Sequence, residues 1–128
     1  MNNFKILIIE DDPTTCTLLK TTLEMEGYQI AFVHNIDNND VISLLNIHQP
    51  QLLFLDFHLG TRETVEHITT IRRHPNWQYL PVLMTSAIDH SQECLAVGAT
   101  GFLLKPFNWD EIIGQVNQIR TQILHKQA

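Results

Sequence analysis

Short apolar runs alternate along the chain with longer segments whose apolar residues recur at helical spacing. The runs are continuous, rich in Ile, Leu and Val, and bounded by polar residues. That pattern is typical of strands buried on both faces of a parallel sheet. It predicts five strands, namely Lys5–Ile9, Gln29–Val33, Gln51–Leu55, Pro81–Thr85 and Gly101–Leu104.

The segments between these runs have the start and stop signals of helices. Asp12 suits an N-cap and Pro13 a first helical position, while Gly27 suits a helix end. Asp89 with Gln92, and Asn108 with Glu111, have capping-box spacing. The predicted helices run from Asp12-Pro13 to Gly27, over Asp37–His48, Thr61–Arg73 and Asp89–Val97, and from Asn108 toward Lys126.

The last predicted helix has one apolar stripe. Its members, spaced four, three and four residues apart, are Ile112, Val116, Ile119 and Ile123. We expect this stripe to pack on the sheet. A second interpretation is that the far end, residues 119–124, continues into a coiled coil or an output linker.

Five successive strand–helix units predict an α/β fold with a parallel sheet and helices on both faces. Connections should be right-handed, and the expected flavodoxin-like strand order is 2-1-3-4-5. The length, 128 residues, fits a single domain over 1–128.

The charge balance limits the classes of partner. The net charge is −6, so this segment lacks the basic face that direct nucleic-acid binding needs, and anionic membranes should not attract it. Cys16 and Cys94 form no CxxC pair, no leader peptide is visible, and no apolar run has the length of a membrane span. These features predict reduced thiols and a cytoplasmic location.

Acidic, hydroxyl and basic residues follow the predicted strands at their carboxyl ends, where open α/β sheets place their sites. Glu10 and Asp11 follow the first strand, Asp56 the third, Ser86 the fourth and Lys105 the fifth. Clustered carboxylates require a cation, and an all-oxygen ligand set with room for phosphate suits Mg²⁺. A carboxylate can also carry a phosphoryl group as an aspartyl phosphate.

Four runs in this order, ILIIEDDP, LLFLDFHL, PVLMTSA and GATGFLLKPF, together resemble the response-regulator receiver family over essentially the whole chain. The resemblance implies that Asp56 accepts the phosphoryl group, assisted by Lys105 and the hydroxyl of Ser86. Glu10 and Asp11 correspond to the acidic pair, and the Mg²⁺ ligands to Asp11, Asp56 and the His58 backbone carbonyl. It also implies switch residues at Ser86 and Phe102 and a cis Lys105–Pro106 bond.

The resemblance further implies partners. They are a histidine kinase or phosphotransfer protein as donor, and a downstream effector or fused output domain, with a homodimer as one possible assembly. The face built from the fourth helix, fifth strand and fifth helix should change on phosphorylation. Such a domain phosphorylates only its own aspartate and is not a turnover enzyme.

The loop after the acceptor departs from the family pattern. Where most receivers resemble one another in having Pro, Asp and Gly, this chain has Gly60, Glu63 and Thr64. The altered loop, Leu59–Val65, supports a competing hypothesis of a pseudo-receiver that signals without phosphorylation. A phosphatase that works through an aspartyl intermediate is disfavoured because no DxD motif follows the first strand. Neither GxGxxG nor GxxxxGK[ST] occurs, so no motif indicates a nucleotide-binding site.

Overall fold

Five parallel strands form the main sheet and, numbered among themselves along the chain, they lie in the order 2-1-3-4-5. The computed structural model describes residues 3–127, with side chains for residues 3–124. Its elements, in chain order, are β1 (Lys5–Ile9), α1 (Pro13–Met25), β2 (Gln29–Val33), a 3-10 turn (Asp37–Asn39), α2 (Val41–His48), β3 (Leu52–Asp56), β4 (His58–Leu59), β5 (Arg62–Glu63), α3 (Val65–Arg73), β6 (Val82–Ser86), α4 (Ser91–Ala96), β7 (Gly101–Leu104) and α5 (Trp109–Gln127). Since β4 and β5 pair only with each other, the five main strands have the predicted order 2-1-3-4-5.

Each face of the sheet has its own apolar core, because successive strand side chains point to opposite sides. One core joins strand residues such as Leu7 and Leu53 to helices α2, α3 and α4. The other joins residues such as Ile6 and Leu52 to α1 and α5. The predicted stripe of α5 lies in this second core, with Ile112, Val116 and Ile119 buried and Ile123 partly buried. The predicted α/β fold with helices on both faces is therefore confirmed.

The strand registers bring the carboxyl ends together at one edge. Asp56 at the end of β3 is the register partner of Thr85 on β6. The backbone N–H of Lys105, just after β7, donates to the carbonyl of Ser86 at 2.8 Å. The third and fourth strands each lie one residue later than predicted, so Asp56 and Ser86 are themselves strand residues.

The predicted helix over Asp37–His48 begins too early. Residues 37–39 form a separate 3-10 turn in which Asn38 and Asn39 have φ values of 56° and 54°. This left-handed backbone is incompatible with a continuing α-helix, and Asn adopts it more readily than most residues. The helix starts instead at Val41, where Asp40 caps it by accepting from the N–H of Ser43 at 3.0 Å.

The predicted helix over Thr61–Arg73 is also wrong at its start. Residues 58–63 form an antiparallel hairpin, β4–β5, and α3 begins at Val65. Gly60 in the loop has a φ of 62°, a conformation suited to a two-residue hairpin turn. The altered loop Leu59–Val65 thus has regular structure.

Of the two helices that flank β7, α5 has its predicted N-cap, whereas α4 lacks its predicted capping box. The predicted helix Asp89–Val97 is shorter, Ser91–Ala96, and Asp89 accepts from the N–H of Ser91 at 2.9 Å instead of forming a capping box with Gln92. At α5, Asn108 accepts from the N–H of Glu111 at 2.9 Å, as a cap should. None of the described helices has the length and apolarity to cross a membrane.

Candidate functional site

Three carboxylates meet where β1 and β3 end. Glu10, Asp11 and Asp56 each offer an oxygen, and these oxygens lie within 4.8 Å of one another. Glu10 is only 2% exposed and Asp56 only 7%, whereas Asp11 is exposed. Within residues 3–124, this is the only group of three or more His, Cys, Asp or Glu side chains close enough to share an ion.

Lys105 adds a positive charge to this cluster from the neighbouring end of β7. Its Nζ lies 2.5 Å from Oε1 of Glu10 and 3.4 Å from Oδ2 of Asp56. The Lys105–Pro106 peptide bond is cis, as the resemblance implied. One ammonium among three carboxylates leaves a net negative charge at this edge of the sheet.

Burial and like charge change how Glu10 and Lys105 ionise. Burial raises the pKa of Glu10 to about 8, and the neighbouring carboxylate of Asp56 adds to this effect. Burial alone would lower the pKa of Lys105, but its hydrogen bond to Glu10 and the charges of Asp56 and Glu10 raise the pKa above its usual value. Lys105 is therefore cationic at neutral pH.

The carboxylate cluster fits a hard divalent ion. Oε2 of Glu10 is buried and has no hydrogen-bond partner among the described residues. A buried oxygen of this kind beside two further carboxylates is stabilised by a divalent cation, and an all-oxygen set with few carboxylates suits Mg²⁺. Glu10, Asp11 and Asp56 could hold such an ion; the His58 carbonyl as a further ligand stays a prediction.

The two predicted switch residues lie on adjacent strands. Ser86 is buried at the end of β6, and its Oγ accepts from the N–H of Ile88 at 3.2 Å. Phe102 is half-buried on β7, packs against the core beneath α2, α3 and α4, and has Met84 as its register partner. The structure thus puts Ser86 at the carboxyl edge and Phe102 two residues before the end of the neighbouring strand, while their switching roles stay predictions.

The β4–β5 hairpin also contacts the site, which the sequence analysis missed. The Gly60 N–H donates to Oδ2 of Asp11 at 2.7 Å. The Thr64 hydroxyl is buried and donates to the backbone carbonyl of Asp56, also at 2.7 Å. A two-residue Gly-Thr loop between short extended segments was the available signal, because Gly-X is a common hairpin turn.

An aromatic stack next to the acceptor was missed as well. The ring of Phe57 lies parallel to that of His90, with centroids 3.9 Å apart and an interplanar angle of 4°. His58 meets the Phe57 ring edge-on at 4.8 Å. Since His90 precedes α4, the stack connects the residue after Asp56 to the start of that helix.

Comparison with known families gives one match that spans most of the chain. The sequence model of the family described as "Response regulator receiver domain" matches residues 6–117. The chain belongs to this family. It is therefore a receiver domain of the two-component response-regulator class, and the resemblance stated from its four sequence runs is confirmed.

Curated relatives and solved structures agree with this assignment. The phosphate regulon transcriptional regulatory protein PhoB of Rhizobium meliloti is 30% identical over 115 residues, which cover 88% of this chain and 50% of that protein. This chain spans about half the length of the curated relatives that it matches.

Two solved structures have the same architecture. A two-component response regulator from Clostridium difficile is 27% identical, with a TM-score of 0.81 over 94% of this chain and 98% of that one. The chemotaxis response regulator CheY4 of Vibrio cholerae is 22% identical, with a TM-score of 0.79 over 92% of this chain and 99% of that one, and this second likeness shows the fold alone.

Proposed function

We propose that this receiver domain accepts a phosphoryl group on Asp56 from a phosphohistidine donor, with Mg²⁺ bound by the acidic cluster. The observation that carries the proposal is the convergence of Glu10, Asp11 and Asp56 with Lys105, whose Nζ lies 3.4 Å from the Asp56 carboxylate. Phosphoryl transfer depends on such positioning and charge neutralisation.

In the proposed reaction, a carboxylate oxygen of Asp56 attacks phosphorus, and the bond from phosphorus to the donor imidazole nitrogen breaks. Bound Mg²⁺ supplies neutralisation of the phosphoryl oxygens. Lys105 contributes a cation at the same edge, and Ser86 a hydroxyl that can donate to a phosphoryl oxygen. The Thr64 bond to the Asp56 carbonyl holds the acceptor residue in place during attack.

The proposed response is a change in the face formed by α4, β7 and α5. Phosphorylation adds about two negative charges beside Ser86. We propose that Ser86 moves toward them and that Phe102 turns inward. The face exposes apolar side chains suited to a protein partner, namely Leu95, Leu104 and Trp109.

The remaining parts of the proposal follow from family membership and concern partners and location. The donor is a histidine kinase or phosphotransfer protein, and the recipient of the signal is an effector or an output domain. We place the domain in the cytoplasm. We propose that it catalyses phosphorylation of its own aspartate only and does not turn over a separate substrate. A homodimer through the same apolar face is one assembly it could adopt.

The alternative is a pseudo-receiver that binds its partner without phosphorylation. The observation that favours it is the loop Leu59–Val65 beside the acceptor, which departs from the family pattern and contains the β4–β5 hairpin. The retained Asp56 and Lys105 favour the phosphorylated form instead.

Intact-mass spectrometry after incubation with acetyl phosphate tests the proposal, with and without Mg²⁺. Wild type should gain one phosphoryl group only when Mg²⁺ is present, and Asp56→Ala should gain none. Asp110→Ala, which removes an exposed carboxylate at the start of α5, is the matched control and should behave as wild type. A folded wild type without any adduct would reject the proposal and favour the pseudo-receiver.

A further inference from the structure

One backbone amide of the β4–β5 hairpin reaches the acidic cluster. The Gly60 N–H donates to Oδ2 of Asp11 at 2.7 Å, across 49 residues of sequence. A hydrogen bond from an amide to a carboxylate is shorter and stronger than a bond between neutral groups. Since Asp11 belongs to the three-carboxylate cluster, this contact sets the orientation of one candidate metal ligand.

The hairpin turn requires the backbone that Gly60 provides. Gly60 and Thr61 form a two-residue loop between Leu59 and Arg62, which are register partners. Gly60 has a φ of 62°, in the left-handed region that glycine enters without a steric penalty. A Cβ at this position would meet nothing within 4 Å, so the requirement is one of backbone conformation and not of space.

Two further contacts hold the hairpin from outside the turn. Nη1 of Arg62 donates to Oδ1 of Asn39 at 2.7 Å, and the Thr64 hydroxyl donates to the Asp56 carbonyl at 2.7 Å. Both contacts lie just after the turn and fix the strand that follows the Gly60 amide, so the position of this amide does not depend on the turn alone.

We propose that Gly60 is a positioning residue for Mg²⁺, whose amide holds the Asp11 carboxylate in its metal-binding orientation. The inference rests on the proposed function, since Mg²⁺ binding at this cluster is itself proposed. The bond uses part of the accepting capacity of Oδ2 and leaves the other oxygen of Asp11 to a metal. Hydrogen-bonding partners of this type orient metal ligands and contribute to metal affinity.

Calorimetric titration with Mg²⁺ alone measures the effect. Gly60→Pro removes the donor and also cannot adopt the φ of 62° that the turn has, so through both changes it should weaken Mg²⁺ binding about 10-fold or more. Gly60→Asn keeps the N–H and tolerates the left-handed backbone, so it should retain most of the affinity. Arg62→Ala removes the outer anchor and should weaken binding less than Gly60→Pro does, whereas Arg73→Ala, an exposed arginine on α3, should bind as wild type does.

Amide hydrogen exchange in the metal-free protein provides a second readout that no metal affects. The Gly60 amide should exchange more slowly in wild type than in Asp11→Ala, which lacks the acceptor. Equal exchange rates in the two proteins would show that the contact does not hold in solution, and would overturn the inference.

The titrations separate this inference from the function on which it rests. If folded wild type fails to bind Mg²⁺, the proposed function and this inference are both wrong. If wild type binds Mg²⁺, and Gly60→Pro and Arg62→Ala both bind it as tightly as wild type does, only the positioning role is wrong. If Gly60→Pro does not fold, Arg62→Ala compared with Arg73→Ala decides the result.

Discussion

Arg72 on α3 donates hydrogen bonds to two connecting segments far from the acidic cluster, one between α3 and β6 and one between α4 and β7. Replacing it by methionine should lower the free energy of unfolding substantially. Its Nε donates to the Gly98 carbonyl at 2.9 Å, and its Nη1 donates to the carbonyls of Gln78 and Leu80 at 3.2 and 2.6 Å. Arg72→Met removes these donors and keeps an apolar stem that can still pack beside Gly98.

The size of the loss follows from these bonds. Hydrogen bonds from a charged group contribute about 1.5–3 kcal/mol each. Nη1 divides its donors between two carbonyls, and Arg72 is only half-buried, so we count two effective bonds at the lower end of that range. Arg72→Met should therefore lower the free energy of unfolding by about 3 kcal/mol.

Urea unfolding followed by circular dichroism measures this loss. With a slope of about 1.5 kcal/mol per molar urea, the midpoint should fall by about 2 M. Arg73→Met is the matched control: the neighbouring arginine is exposed, and its replacement should change stability by no more than about 0.5 kcal/mol. If Arg72→Met loses less than about 1 kcal/mol, or no more than Arg73→Met, the carbonyl contacts are not stabilising in the way we have reasoned.

Three further predictions concern metal binding, pH and capping. Mg²⁺ at about 100 times its dissociation constant should stabilise wild type by about 2.7 kcal/mol in thermal unfolding. The gain in stability should be smaller in Asp56→Ala. Equal gains in the two proteins would argue against a metal site at Asp56. Burial lowers the pKa of His67 below the usual value for histidine, so the folded state favours the neutral ring, while the ring in the unfolded chain binds a proton near pH 6.5. The stability due to neutral His67 is thus present above that pH and is lost as pH falls below it. In His67→Gln the free energy of unfolding should therefore depend less on pH. A slope of this free energy against pH equal to that of wild type would contradict the prediction. Asp40→Ala removes the cap that accepts from the N–H of Ser43 and should destabilise by about 1 kcal/mol, with Asp40→Asn retaining most of the stability, and equal losses in both variants would refute the capping role.

The sheet and its order were predictable because the strand pattern is local. Each strand is a continuous apolar run, and residues such as Ile6 and Leu7 serve opposite cores, so helices on both faces follow directly. The positions of Asp56 and Lys105 followed from the rule that strand carboxyl ends share one edge. The general placement of the candidate site therefore needed no knowledge of tertiary contacts.

The contacts that were missed depend on backbone conformation and on distant partners. The left-handed backbone at Asn38 and Asn39 separates the 3-10 turn from α2, and residues 37–40 are all polar, so apolar spacing could not mark where that helix begins. The hairpin was missed because residues 61–64 are all polar, so no change in apolar spacing separated them from the helix that starts at Val65. Neither the Gly60–Asp11 bond nor the Phe57–His90 stack has a local signature, since each joins segments far apart in sequence.

The anchored β4–β5 hairpin also affects how a donor protein would dock beside Asp56. A free loop loses conformational entropy when a partner orders it, and each immobilised backbone residue costs about 1–2 kcal/mol. Because Gly60, Arg62 and Thr64 are already held by contacts within the domain, little of this loss remains to be incurred on docking. A donor of the proposed kind would therefore meet a preformed hairpin, and discrimination between donors would depend on the shape and charge of this hairpin instead of on induced folding.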